Sequence, residues 1–557
     1  MRFKIPFVLA AALLVTACDP GLPEENAGFA AGGVAAALSQ GEFNALPADQ
    51  QYMVANKLLG TMYRGIPVED FYNMGAGLDA SSPAGITNLN TLSGSFLTSI
   101  RSAIEKELSA DEVLAVDTII DGLDEEGNPD PDVAKYLFDT DSNTRNDQRA
   151  KQLPLARIKE YPISRDMFVH WMAYVLINTI MFSPAEEMES TDYTDVQNMY
   201  RFLVTRLEQG ASIRQIIRSN LSTLARWRVS RSPENHALEA YELYLGLFET
   251  EEDSYRGGIA CKDLYLTNED DGYLIRRTSF PNTTPQLVLS NQYITTCDDL
   301  YEVIAGHPLL IPRVVEVIFN YFVELREDNL EYRQSMINAI AMSNPETFDD
   351  IFTAILFSRE YLLNIERPRT IEENLLPTLE AMKWDPRNGG GDIDRNIFRD
   401  MTEFTNSQLY MDGMGWATMK YKIGRLPDVP LDGLSFANYH KSMRERVMMN
   451  RSFYDSSNTE GDNFLYDENG DIKPFIENMS LNDFIDYLFL TALQRKASTS
   501  EKADLIDVYE TGVGGNQLTT DDEENKIVRD GRHDDVAQIT FDYITRLPEF
   551  YYFRSVN

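Results

Sequence analysis

The stretch ISRDMFVHWMAYVLINTIMFSP, Ile163 to Pro184, is apolar almost all the way round a helical wheel. A helix without a polar face has no side to offer to water, so it belongs inside a larger helical body. His170 and Asn178 interrupt it, which argues against a membrane span. The fold class follows from this one segment: a mainly α protein, a large multi-helix body that must supply several helices to cover the central one.

Working outward, apolar spacing at i, i+3 and i+4 predicts further helices near 55–62, 192–209, 211–228, 234–249, 297–306, 310–326, 329–343, 345–365, 479–494, 499–511 and 534–550. Ser232-Pro233-Glu234 and Asn344-Pro345-Glu346 each read as a helix start: a capping side chain, a first-turn proline and an acid facing the helix dipole. One segment breaks the helical pattern. Asp263–Thr267 and Gly272–Arg276 alternate and are rich in strand formers, with Asn268–Asp271 as the turn, which predicts a β-hairpin insertion near 263–278.

The chain of 557 residues divides in expectation as follows. Residues 1–17 form a signal peptide and 18–45 a flexible tether. An N-terminal helical region covers 46–160, and a central helical domain covers 161–385 with the hairpin insert at 257–290. A Gly/Pro-rich stretch of ordered loops, with a helix near 435–450, fills 386–475, and C-terminal helices fill 476–557.

The signal reading rests on Arg2 and Lys4 followed by the apolar run Ile5–Ala17, 13 residues long and so short of the roughly 20 a bilayer needs. Val15-Thr16-Ala17-Cys18 resembles a bacterial lipobox, in which the signal is cut before the cysteine and its thiol carries diacylglycerol. Several acyl chains anchor durably where one does not. The expected location is therefore the cell envelope, lipid-anchored at Cys18 to the inner or outer membrane and facing the periplasm or the cell surface. Cys261 and Cys297 then remain as an even pair in an oxidising compartment, which predicts a disulfide.

The formal charge is −38, with 88 acidic against 50 basic residues. Such a surface repels nucleic acid, so no nucleic-acid partner is expected. GxSxG, GxxxxGK[ST], HExxH and CxxC patterns are all missing, and the five histidines are dispersed.

The richest constellation is Ser232-Pro-Glu-Asn-His-Ala-Leu-Glu-Ala-Tyr-Glu-Leu243. On a helix Asn235, Glu239 and Glu242 fall on one face, where two carboxylates and an amide suit a cation or an acid/base pair, with His236 as a neighbouring nitrogen. From the spacing alone, a solvated helix face with buried-end hydrogen bonds is the favoured reading. Asp139, Asp141 and Asn143, and likewise Asp467, Asn469 and Asp471, carry the alternating rhythm of a calcium loop without the glycine and glutamate of an EF-hand; Asn128, Asp130 and Asp132 alternate likewise. Calcium is the one cofactor these suggest, and plain turns explain them as well.

Several patterns, in order, resemble one family. Glu234-Asn235-His-Ala-Leu-Glu239-Ala-Tyr-Glu242-Leu is similar to its E-N-x-A-R-E-L-x-E-L helix, and Glu269-Asp270-Asp271-Gly272 to its H-D-x-G turn. Cys297 to His307-Pro308, followed by Arg313–Phe322, resembles its helix ending in H-P. Gln408 to Gly415-Trp416 resembles its GQPLF…GW loop. This is the bacterial DUF-eighteen-hundred family with its planctomycete relatives, over roughly residues 160–500. The resemblance implies an exported, largely helical protein with no established activity, often encoded beside a sulfatase-like or phosphatase-like partner. It adds Asp271, His307 and Trp416 to the candidate ligand-binding residues. Leu238 replaces the family's arginine and Leu274 its lysine, which would remove catalytic groups if relatives use them. The expected function is a binding or scaffold component of an envelope assembly rather than an enzyme. The alternative is a cation-assisted hydrolase of polysaccharide or sulfated glycan working through Glu239 and Glu242.

Overall fold

A computed structural model describes residues 35–72, 96–122, 153–181, 193–268, 272–323, 330–384, 463–477, 479–509 and 532–556, with single residues 124, 126, 128, 136, 444, 454 and 528. Cys18, the signal, Asp130, Asp132, Asp139, Asp141, Asn143, Asp271, Trp416 and the helix expected near 435–450 (Arg444 apart) lie outside them. The described chain is mainly helical, with three small antiparallel strand pairs. Among the described residues no helix is long and apolar enough to cross a membrane.

The segment that opened the sequence reading forms the central helix, Arg165–Leu176, capped by Ser164 Oγ, which accepts from Met167 N at 3.2 Å. Met167, Trp171, Met172 and Val175 are fully buried, and Trp171 Nε1 donates to the Thr61 carbonyl at 2.9 Å. The helix widens into a π-turn at Ile177–Met181. There the Asn178 amide donates to Tyr174 O at 2.8 Å and the Thr179 hydroxyl to Val175 O at 2.8 Å, drawing on carbonyls of the helical ladder. His170 is part of this core, bonded to the Tyr200 hydroxyl and stacked on Tyr161 with ring centroids 5.2 Å apart.

Most helices lie close to their expected ranges, such as Tyr193–Glu208 and Leu330–Met342, and Cys297–Gly306 matches at both ends. Three expected helices are broken, among them 534–550, which is an α-helix at His533–Ile544 followed by a short 3-10 helix at Pro548–Tyr551. The 211–228 helix is two, Ile213–Leu221 and Leu224–Ser230, because Thr223 caps the second through Arg226 N. The 345–365 helix is Phe348–Leu356 and Arg359–Leu363, and its start at Asn344-Pro345 is corrected. Asn344 sits in a left-handed turn at φ 52°, and Thr347 with Asp350 forms the capping box instead.

The tether also ends earlier than the sequence suggested. Gln40–Ala45 is a helix whose Phe43 is buried, and Ala37 bridges to Ser358 while Leu38 N donates to Phe357 O at 2.9 Å. Residues 35–45 belong to the body because Ala35, Leu38 and Phe43 have core to cover.

The expected hairpin is present, with β1 (Leu264–Leu266) and β2 (Leu274–Arg276) in the register Leu264↔Arg276 and Leu266↔Leu274. A second, unexpected hairpin follows, β3 (Gln286–Val288) with β4 (Gln292–Ile294). Its turn holds Leu289 and Ser290 at φ 50° and 66°, positions where the usual sequence signal is Gly, Asn or Asp. β5 (Arg367–Pro368) pairs with β6 (Tyr552–Phe553), tying the C-terminal end to the centre.

Both hairpins lie inside the loop closed by the Cys261–Cys297 disulfide, whose residues are 36 apart in sequence and fully buried. Cys261 ends the Glu251–Ala260 helix and Cys297 begins the next, so the bond fixes both roots of the insertion at a helix terminus. The Glu251–Ala260 helix packs so closely on Pro233–Leu245 that a Cβ on Gly257 would stand 2.6 Å from Ala237 Cβ.

Candidate functional site

Ser232 Oγ caps the Pro233–Leu245 helix by accepting from Asn235 N at 3.2 Å, and proline occupies the first turn as the sequence suggested. That start sets Asn235, His236 and Glu239 against the short Leu224–Ser230 helix. Glu239 is a structural group there: one oxygen pairs with the buried Arg226 guanidinium and lies 3.3 Å from Ser230 Oγ, and the other accepts from the Asn235 amide at 2.8 Å. The same amide donates to Ser230 O at 2.9 Å. Both carboxylate oxygens therefore have partners inside the fold.

His236 packs against the same short helix, beside Glu239. It stacks on Trp227 with centroids 4.2 Å apart, and its Nδ1 lies 3.2 Å from Ser230 Oγ. Burial, with the Arg226 charge beside it, pushes its pKa down to about 3, so the ring is neutral at physiological pH. Trp227 Nε1 donates to the Tyr301 hydroxyl at 2.9 Å, and that oxygen lies 3.1 Å from Cys297 Sγ. The constellation is thus the seam between the helical body and the disulfide. Glu242 is half-buried on the same helix and carries interactions of its own.

The residues that organise this seam were not singled out in the sequence. Arg226, Trp227 and Arg228 are consecutive, and each locks a different element. Arg226 holds Glu239; Trp227 holds Tyr301; Arg228 donates to Asp195 at 2.8 Å and to the Gly272 carbonyl at 3.1 Å, fastening the first hairpin to the Tyr193–Glu208 helix. An aromatic between two arginines on a helix that buries all three was the available signal.

His307 serves another joint. It is the C-cap of Cys297–Gly306; its Nδ1 accepts from Leu309 N at 3.2 Å and its carbonyl accepts from Arg214 at 3.3 Å. Asp467, Asn469 and Asp471 form a hairpin tip: the Asp467 carboxylate accepts from Asn469 N at 2.9 Å and Asp471 N at 3.0 Å, and Tyr466 bridges to Ile472. Asp467 is on the rim of a hollow of about 390 Å³ in which Glu69 bridges Lys383, Lys473 and the Tyr487 hydroxyl. Among the described residues no three His, Cys, Asp or Glu side chains converge to hold a metal ion.

Above the seam the surface is of a different kind. Tyr273, Phe280 and Tyr293 are 72%, 66% and 71% exposed, and Ile275 is 40% exposed. Strand alternation puts Tyr273, Ile275 and Arg277 on the outer face of the first hairpin, where the Arg277 guanidinium lies 3.4 Å from the centroid of Tyr265. Residues 272–297 contain no acidic side chain, a long interval in a chain with 88. Comparison with protein-family profiles, curated proteins and solved structures returns no match to this chain.

Proposed function

We propose that this protein is a lipid-anchored component of the bacterial cell envelope that binds or scaffolds a protein partner through its disulfide-braced hairpins. The observation that carries this reading is the display of Tyr273, Phe280 and Tyr293 on an insertion whose two roots are joined by Cys261–Cys297. Large exposed aromatics on a pre-ordered support lose little conformational entropy on docking and supply much contact area. The disulfide suits an oxidising compartment, and the Val15–Cys18 lipobox supplies the anchor. A sulfatase-like or phosphatase-like envelope protein is the partner that the family resemblance suggests.

The hydrolase reading has less support, because both Glu239 oxygens are engaged by Arg226, Asn235 and Ser230. The test has two arms. Metabolic labelling with a clickable fatty acid should mark the wild type and not Cys18→Ala. Affinity capture from envelope extract should recover a partner that is lost in Tyr273→Ser/Phe280→Ser/Tyr293→Ser and kept in an exposed control, Leu114→Ser. Equal recovery by both variants would overturn the hairpin as the docking surface.

A further inference from the structure

The Tyr193–Glu208 helix ends in a Schellman motif. Ala211 N donates to Arg206 O at 3.0 Å and Gly210 N to Leu207 O at 3.0 Å, with Gly210 in the left-handed region at φ 62°. One residue after Ala211, Ser212 opens the next helix through a capping box with Gln215. The joint is short and fully hydrogen-bonded, and Ile213 N anchors it to Glu346 O at 2.9 Å. Beside it lies a hollow of about 410 Å³ lined by Arg206, Gln209, Gln215, Arg218 and Ser219 together with the turn backbone.

Among the described residues no carboxylate lines this hollow, in a chain whose net charge is −38. The two guanidiniums have donors in reserve. Arg206 is braced by Phe202, 5.8 Å from its ring centroid, and gives only Nη1 to Gln209 Oε1, at 3.3 Å. Arg218 gives only Nε, to Glu302, which lies outside the lining. Gln209 and Gln215 use their amide oxygens as acceptors, at 3.3 Å and 2.9 Å, which leaves their NH₂ groups free to donate, and the Ser219 hydroxyl lines the same wall. Two planar guanidiniums with flanking amide and hydroxyl donors match a tetrahedral oxyanion, which accepts several hydrogen bonds at once. A hollow of donors without a lining carboxylate also disfavours cations.

We propose that this hollow binds the oxyanion head of a sulfate or phosphate ester. The site is separate from the hairpin surface, so its failure and the failure of the docking surface are read independently. Glu302 acts as an intramolecular competitor for Arg218.

The test is calorimetric titration of the full-length protein in neutral detergent at physiological salt, where the Debye length of about 8 Å screens the distant acidic surface. Glucose 6-sulfate, glucose 6-phosphate and glycerol 3-phosphate, the last a soluble mimic of a lipid headgroup, are the three probes. At least one should bind, with affinity reduced tenfold or more in Arg206→Gln/Arg218→Gln and unchanged in Arg359→Gln, an exposed arginine on another helix. Glu302→Gln should raise affinity severalfold, a gain that misfolding cannot produce. Preference for glycerol 3-phosphate assigns the ester to a lipid, and preference for a sugar ester assigns it to a glycan or metabolite. Absence of binding by all three probes, or equal binding by wild type and the double variant, would overturn the site.

Discussion

Two regions of this protein handle their unusual side chains in opposite ways. In the centre, Arg367 and Glu373 are both fully buried and joined by two hydrogen bonds of 2.7 Å. Arg367 also donates to the Tyr361 hydroxyl at 3.0 Å, and its guanidinium lies 4.8 Å from the Phe553 ring centroid. Lys57, buried beside them, donates to the Ile365 carbonyl, and burial reinforced by the Arg367 charge pushes its pKa well down. At the hairpins the interior is closed by a covalent bond and the aromatics face water. The central region turns all its polar chemistry inward and so specifies one arrangement of helices. The hairpin region is held by the disulfide and by Arg228 and Arg256 bonded to the Gly272 and Leu287 carbonyls, which leaves Tyr273, Phe280 and Tyr293 available to a partner.

The largest effect is expected at the centre. Glu373→Gln neutralises the carboxylate paired with the buried Arg367 cation and should cost about 3–5 kcal/mol in urea unfolding. A loss below about 1 kcal/mol would mean that water reaches the pair and would break the contrast drawn here. Next comes Cys261→Ser/Cys297→Ser, which releases a loop of 36 residues and should cost about 3–4 kcal/mol in the chain-entropy account. Its proteolytic cuts should fall within 262–296 before the central helices open.

Acid should weaken the fold through its buried histidines. His170 and His236 are each pushed down to about 3 from the ordinary 6.5, by burial first and then by Arg157 or Arg226. The unfolded chain takes up these two protons below 6.5 and the folded chain refuses them, so stability is full above 6.5 and falls as the pH approaches 3. Glu501 is partly desolvated, yet its hydrogen bonds from Arg495 and Ser498 hold it at about 2, so its contribution is lost only below 4.5. Urea midpoints should therefore begin to fall at pH 6.5, and His170→Gln should flatten the decline between 6.5 and 4.5. The smallest effect on stability belongs to the exposed aromatics: Tyr273→Ser, Phe280→Ser and Tyr293→Ser should each shift unfolding by less than about 0.5 kcal/mol. A larger change would show that these rings support the hairpins and would weaken their assignment to a partner.

Much of the fold was legible because its signals are local. The buried central helix, the Ser232-Pro233-Glu234 start and the first hairpin are each written within a few residues. The second hairpin was hidden because Leu289 and Ser290 take left-handed backbone angles without the residues that advertise them. The break at Ser222–Thr223 was hidden because apolar periodicity runs through it while one hydroxyl cap ends the helix. At the candidate site the sequence correctly put Asn235 and Glu239 on one face. It could not supply Arg226, the partner that decides what Glu239 does.

The sequence alone determined the helical class, the acidic surface, the cysteine pair and the order of most elements, since periodicity, caps and composition act over a turn or two of chain. Only the tertiary structure decided which charges neutralise one another. Lys57 finds a carbonyl 308 residues away, and Arg64 pairs with Glu380 at a separation of 316. The free energy of a buried charge depends on whatever surrounds it in space, and no local pattern encodes that.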